Sequence, residues 1–381
     1  MPILKNRAVL RWLVPVTAGV AVIGGGAAVG TFAAGAQPAL PPRTAAELLN
    51  DLRTSRLEGL SGTVVQRADL GLPPIAGLAG AATGNELATL LTGTHTLRVW
   101  YGGPDRQRLA LVDTLGEQDL LHNGRDVWTW SSRTNTASHR TLPAGEATVP
   151  SAPATPVDAA EQALAAIDPS TAVTVGRSAR VAGRDAYELV LSPRDADSLV
   201  HQVRIALDAK EHVPLRFVVL ADGADRPAFE VAFTQVDFRT PDADQFRFNP
   251  PPGVKVTEEP GVKAGENPAA GERGPAGKHD PDLDRRPDGR DLRTVGTGWT
   301  TVVVARLDAA GPAGGPKGDA NSAAPGADAV AQVLGGLPKV SGDWGSGRLL
   351  TGKLFSVLLT DDGRVLAGMV TPERLYQVAR G

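Results

Sequence analysis

The chain contains no cysteine. Disulfides, thiolate metal centres and a lipid anchor attached through a cysteine are therefore excluded. It also has no block of basic residues, and its formal net charge is −3 over 381 residues; nothing supplies the electrostatic footprint that nucleic acid requires as a partner. The third absence is local. No acidic residue precedes Glu47, and the only charges before Arg43 are Lys5, Arg7 and Arg11, all ahead of an uncharged run from Trp12 to Ala36. A short basic flank followed by such a run has the layout of a secretory signal or a signal anchor. The positive flank stays in the cytoplasm, so the rest of the chain is expected outside it. The run is long enough to span a bilayer as an N-terminal helix, while Ala34-Gly35-Ala36 offers a cleavage site; cleavage near Ala36 and retention both stay open. Residues 1–43 are assigned to this segment and a short linker.

Periodicity organises the remainder. Ala45, Leu48, Leu49, Leu52 and Leu57 fall at helical spacing, and Thr44 with Glu47 forms a capping-box pattern. From Ser61 the period becomes two. Expected strands are Ser61–Leu70, His95–Tyr101, Arg106–Thr114, Gln118–His122 and Arg125–Ser132, the last pair joined by Asn123-Gly124, a strong hairpin signal. A loop at 71–84 and a short helix at Asn85–Leu91 are expected between the first two. After a Pro/Ala/Gly-rich stretch, Val157–Ile167 reads as a helix. Strands resume at Val173–Val181, Ala186–Leu191, Val203–Leu207, Pro214–Leu220 and Ala228–Phe238. Successive hairpins imply an antiparallel meander. Residues 257–290 are too poor in apolar side chains to fold and read as a linker. A small α+β domain at 291–381 is expected to hold a strand at Thr297–Leu307, a flexible insert at 309–325, a helix at Asp328–Leu334, strands at Leu349–Thr360 and Arg364–Val370, and a closing helix from Pro372 to Ala379.

Motifs for chemistry fail on inspection. Gly347 to Lys353 matches the start of a phosphate-binding loop, but Leu354 stands where Ser or Thr must hold magnesium, and the segment leads into a strand. Ser346 lacks the first glycine of a nucleophile elbow. The six histidines show no metal-ligand spacing. No catalytic residue, metal ligand or cofactor is assigned, and an enzyme, in the form of a secreted hydrolase, is the least favoured class. Apolar side chains on sheet faces stand out instead. Trp128, Trp130, Tyr187, Leu189, Leu191, Phe229, Val231 and Phe233 are the candidates for a ligand cavity enclosed between a curved sheet and its helices.

Three stretches resemble the LolA/RseB superfamily, which includes MucB and carriers of the LppX type. Asn123-Gly124-Arg125-Asp126-Val127-Trp128-Thr129-Trp130 is similar to its Asp-Gly-x-x-Leu-Trp-x-Tyr hairpin. Phe246 to Val256 is similar to its Phe-x-Phe-x-Pro-Pro-x-Gly-Val-x-Val terminal strand, and Leu60 to Gln66 fits its opening strand. The resemblance covers residues 44–256. It implies a mainly β fold, an incomplete barrel of curved antiparallel sheet with helices on its concave side, and an acyl chain of a lipid or a lipoprotein as ligand. Val365 to Pro372 resembles the end of RseB's small domain, which implies a two-domain regulator acting on a membrane partner such as an anti-sigma factor. A carrier moving lipids or lipoproteins through the envelope is the alternative.

Overall fold

The computed structural model describes residues 38–71, 92–113, 116–143, 155–165, 167–259, 292–306 and 335–381. The expected signal segment up to residue 37, the helix at 85–91, nearly all of the linker, the insert at 309–325 and the helix at 328–334 lie outside them. Residues 40–381 form one compact unit containing two sheets.

Helix α1 (Ala45–Thr54) starts as the sequence requires: the Thr44 side chain accepts from the Glu47 amide, and Glu47 accepts from the Thr44 amide. The large sheet is built from β1 (Leu60–Asp69), β2 (Thr92–Tyr101), β3 (Arg106–Asp113), β4 (Gly116–Asn123), β5 (Asp126–Ser131), β6 (Thr136–Thr141), β7 (Thr171–Val175), β8 (Ala179–Val181), β9 (Arg184–Pro193), β10 (Val200–Asp208), β11 (Pro214–Ala221), β12 (Pro227–Asp237) and β13 (Lys255–Glu258). Its order is β13-β6-β5-β4-β3-β2-β1-β12-β11-β10-β9-β7, with β8 also on β9. The sheet is curved and does not close into a barrel. Helix α2 (Pro156–Ala165) carries its own cap, with Asp158 accepting from the Thr155 amide and hydroxyl.

All pairings in this sheet are antiparallel except one. Strand β13 runs parallel to β6, so Lys255 faces Thr136 and Glu258 faces His139. The sheet is therefore mixed, and the residues from 257 that were expected in a linker begin inside a strand. The long strand expected at Val173–Val181 is two, β7 and β8, separated at Gly176.

Cross-strand register fixes the faces. Val64 pairs with Phe233 and Leu97, Val231 with Phe217, Phe217 with Ile205, and Ile205 with Leu189. These side chains form one core with Leu48 and Leu52 of α1 and Ala159 and Ala160 of α2, so this is the helix-covered face. A bulge between Thr63 and Val64 brings Phe233 over Gly62. A Cβ at Gly62 would sit 2.5 Å from the Gln235 carbonyl oxygen and 2.9 Å from the Phe233 ring, so only glycine permits that approach.

The small sheet has the order β14 (Leu292–Val295), β15 (Val302–Arg306), β19 (Arg364–Gly368), β18 (Ser356–Thr360), β17 (Gly345–Thr351), β16 (Lys339–Gly342). Helix α3 (Pro372–Arg380) packs Leu375 and Val378 against Val302, Leu358 and Leu366. Two expected strands differ. Thr297–Leu307 is interrupted by a 3-10 turn at Gly298–Thr300, and Leu349–Thr360 is a hairpin of β17 and β18. The small sheet is tied to the large one by Trp299, whose Nε1 donates to Thr171 Oγ1 at 2.8 Å, and by backbone bonds from Leu199 to Met369 and from Thr371 to Asp197. Lys353, the lysine of the loop-like motif, is held by Asp69 at 2.6 Å.

Candidate ligand cleft

Helix α1 packs against β7 and β9, and α2 against β11 and β12. The inner face of β1 to β4 lies beyond those strands in the sheet order. A cleft of about 720 Å³ results, within the range of sites that hold small molecules. Its floor is Leu60 of β1, Val99 and Tyr101 of β2, Leu109 of β3, Leu120 and His122 of β4, and Phe233 of β12. One wall is the end of α1 with Leu52, Arg53, Arg56 and Leu57; the other is α2 with Val157, Asp158, Glu161 and Leu164.

Polar side chains are interleaved with this apolar floor, Gln107, Arg108, Thr155 and His122 among them. Nε2 of His122 donates to the Gly124 carbonyl at 2.8 Å, and Asp158 is committed to the cap of α2. Glu161 is at the mouth. Loss of water contact, and then the neighbouring Asp158, push its carboxyl above the ordinary carboxylate value. Burial, and then the charge of Glu161, likewise raise the Tyr101 hydroxyl. Arg53 and Arg56 are exposed on the facing wall.

Register shows where the eight expected cavity residues fall. Tyr187, Leu189, Leu191, Phe229, Val231 and Phe233 all lie on the helix-covered face, since Tyr187 faces Leu207, Leu189 faces Ile205 and Phe229 faces Val219. Of these, Phe233 lines the cleft, and the others pack in the core. Tyr187 Oη donates to the Pro41 carbonyl at 2.9 Å. Trp128 and Trp130 lie on the opposite face. Leu120 pairs with Thr129, and His122 with Val127, so the tryptophans between them point away from the cleft. There Trp128 stacks on His139 with ring centroids 4.2 Å apart, and Phe248 packs beside both tryptophans. Alternation along a strand tells which side chains share a face but not which face the helices cover. Arg53, Arg56, Tyr101, His122 and Glu161 do not stand out in the sequence, because each sits in an ordinary amphipathic or alternating pattern, and only the folded chain brings them to one cleft.

Residues 93–252, less than half of the chain, match the family described as the MucB/RseB N-terminal domain. No curated protein matches. Among solved structures, the chain is similar to the MucA/MucB complex of Pseudomonas aeruginosa, with 18% identity over 88% of this chain and 96% of that one, at a TM-score of 0.43. A conserved protein from Thermus thermophilus shows 13% identity over 56% of this chain and 99% of that one, at a TM-score of 0.32. A LolA superfamily protein from Nitrosomonas europaea shows 12% identity over 54% and 99%, at 0.23. The large sheet thus carries a MucB/RseB N-terminal domain match at residues 93–252, which contains the hairpin motif and most of the terminal motif through which the chain resembles the LolA/RseB superfamily.

Proposed function

We propose that this chain is an extracytoplasmic binding protein of the RseB type that takes the acyl chain of a lipid or lipoprotein in its cleft and acts on a membrane partner such as an anti-sigma factor. The observation that carries this reading is the apolar-floored cleft between α1, α2 and the inner face of β1 to β4. The MucB/RseB match supports regulation over transport; an envelope carrier would use the same cleft and lack the membrane partner. Binding rather than catalysis is the function this reading assigns, and the MucB/RseB match supports it. The basic flank and uncharged run before residue 37 support export, followed by release near Ala36 or retention by an N-terminal helix.

Capture of a fluorescent fatty acid tests the cleft. Wild-type protein is expected to bind it, Leu120→Gln to bind several-fold more weakly, and Trp130→Ala, on the other face, to bind as wild type. Absence of any binding by the wild type would refute the ligand assignment. A fusion of residues 1–45 to a reporter active only outside the cytoplasm is expected to give signal, and a silent fusion would refute export.

A further inference from the structure

Five charged residues line the cleft; Arg108 is paired with Asp119 and Asp158 caps α2, and the three that are left are arranged by sign. Arg53 and Arg56 stand on the α1 wall, and Glu161 stands on the α2 wall. None of the three makes an ion pair within the described residues. A basic residue in the last turn of a helix is ordinarily explained by the helix dipole, which accounts for Arg53. It does not account for Arg56, which lies beyond the last helical residue and still lines the cleft. Glu161, exposed in the middle of α2, lines the same cleft from the other wall.

We propose that the cleft selects an amphiphile whose head group carries both charges, a phosphate and a primary ammonium as in an aminoethyl glycerophospholipid, with the phosphate at Arg53 and Arg56 and the ammonium at Glu161. This rests on the reading of the cleft as the ligand site and names the class of head group it takes. Guanidinium groups suit phosphate because their donors match its oxygens in pairs. A carboxylate opposite suits a compact ammonium with three donors. The Glu161 carboxyl, raised by lost hydration and by Asp158, is returned toward its ordinary value when a cation sits beside it.

Lipid is favoured over an extended peptide for a reason of backbone chemistry. A peptide that binds a sheet draws its affinity from an open strand edge. Every strand lining the cleft, β1 to β4 and β12, already has a neighbour on both sides, so no main-chain donors or acceptors are offered. An acyl chain needs none.

The test uses the full chain with a bound fluorescent fatty acid, displaced by short-chain phosphatidylethanolamine, phosphatidylglycerol or a neutral diacylglycerol of the same acyl length. Phosphatidylethanolamine is expected to displace the probe at about 3- to 10-fold lower concentration than phosphatidylglycerol, the worth of one charged hydrogen-bonded contact near a surface. Glu161→Gln removes that difference, Glu161→Lys inverts it, and Arg53→Ala with Arg56→Ala weakens both phospholipids toward the diacylglycerol. An inverted preference cannot arise from misfolding, so the lysine variant keeps the result decisive. Equal displacement by all three lipids would overturn the head-group assignment while leaving the cleft as the ligand site. Stronger displacement by an apolar peptide carrying both charges would overturn it in favour of a peptide ligand. Failure of the wild type to bind the probe at all would instead remove the ligand cleft itself.

Discussion

Replacing Trp299 should loosen the small sheet from the large one. The side chain is 8% exposed and belongs to the hydrophobic core of the large sheet, although its own chain segment leads into the small one. Its Nε1 donates at 2.8 Å to the Thr171 hydroxyl, itself 6% exposed. Truncating a buried aromatic to alanine costs roughly 3–5 kcal/mol, and Trp299→Ala should fall in that range. Trp299→Phe keeps most of the apolar burial and loses the hydrogen bond, leaving the Thr171 hydroxyl unpaired; about 1–3 kcal/mol is expected. Pairing Trp299→Phe with Thr171→Val removes both partners, so the double variant should lose less than the sum of the two single variants, by about 1 kcal/mol. Urea unfolding followed by circular dichroism reads these differences. With Trp299→Ala, the early part of the transition should separate as the small sheet leaves first. A midpoint for Trp299→Ala equal to that of the wild type would refute the docking role assigned to this side chain.

Two further expectations concern charge. Burial alone would raise the Asp208 carboxyl, but the Arg184 guanidinium and the Lys210 and Glu211 amides outweigh it and hold the group below its ordinary value. A depressed folded value stabilises above the unfolded value and is lost as pH falls through the folded one. Asp208→Asn should therefore cost about 3 kcal/mol at neutral pH, the low end for a broken buried pair because Arg184 keeps some water, and the gap to wild type should close on acidification below about pH 4. Burial pushes the His139 ring down, while Glu258 at 2.7 Å and Asp126 at 3.1 Å outweigh it and raise its value. The contribution of that clamp to holding β13 is full below about pH 6.5 and lost as pH rises through the raised value. The protection factor of the Glu259 amide, whose N–H donates to the His139 carbonyl, should fall across that range in the wild type and stay level in His139→Gln once the base-catalysed rise in intrinsic exchange is divided out.

Much of the large sheet was legible because its turns are strongly marked. Asn123-Gly124 places Gly124 at φ +64 between β4 and β5, and the clean alternation of Phe229, Val231 and Phe233 fixes β12. What escaped had weak local signals. Strand β6 reads Thr-Ala-Ser-His-Arg-Thr, and β13 reads Lys-Val-Thr-Glu with every residue exposed. Strand β6 is held on one side by its hairpin with β5, and β13 only by pairing with β6 across more than a hundred residues, which no local pattern encodes. The hairpin of β17 and β18 reads as one strand in the sequence because its turn, Gly352 to Phe355, itself holds the apolar Leu354 and Phe355. Phe233 is legible by alternation, whereas Arg56 and Glu161 share a cleft only through the packing of segments about a hundred residues apart in sequence.

Native mass spectrometry of the protein purified from its own host decides whether the cleft holds a lipid. A co-purified amphiphile is expected, retained by the wild type and lost or strongly reduced in Leu120→Gln. A wild-type protein with no bound mass, or one whose bound lipid is unaffected by Leu120→Gln but lost in Trp130→Ala, would contradict it.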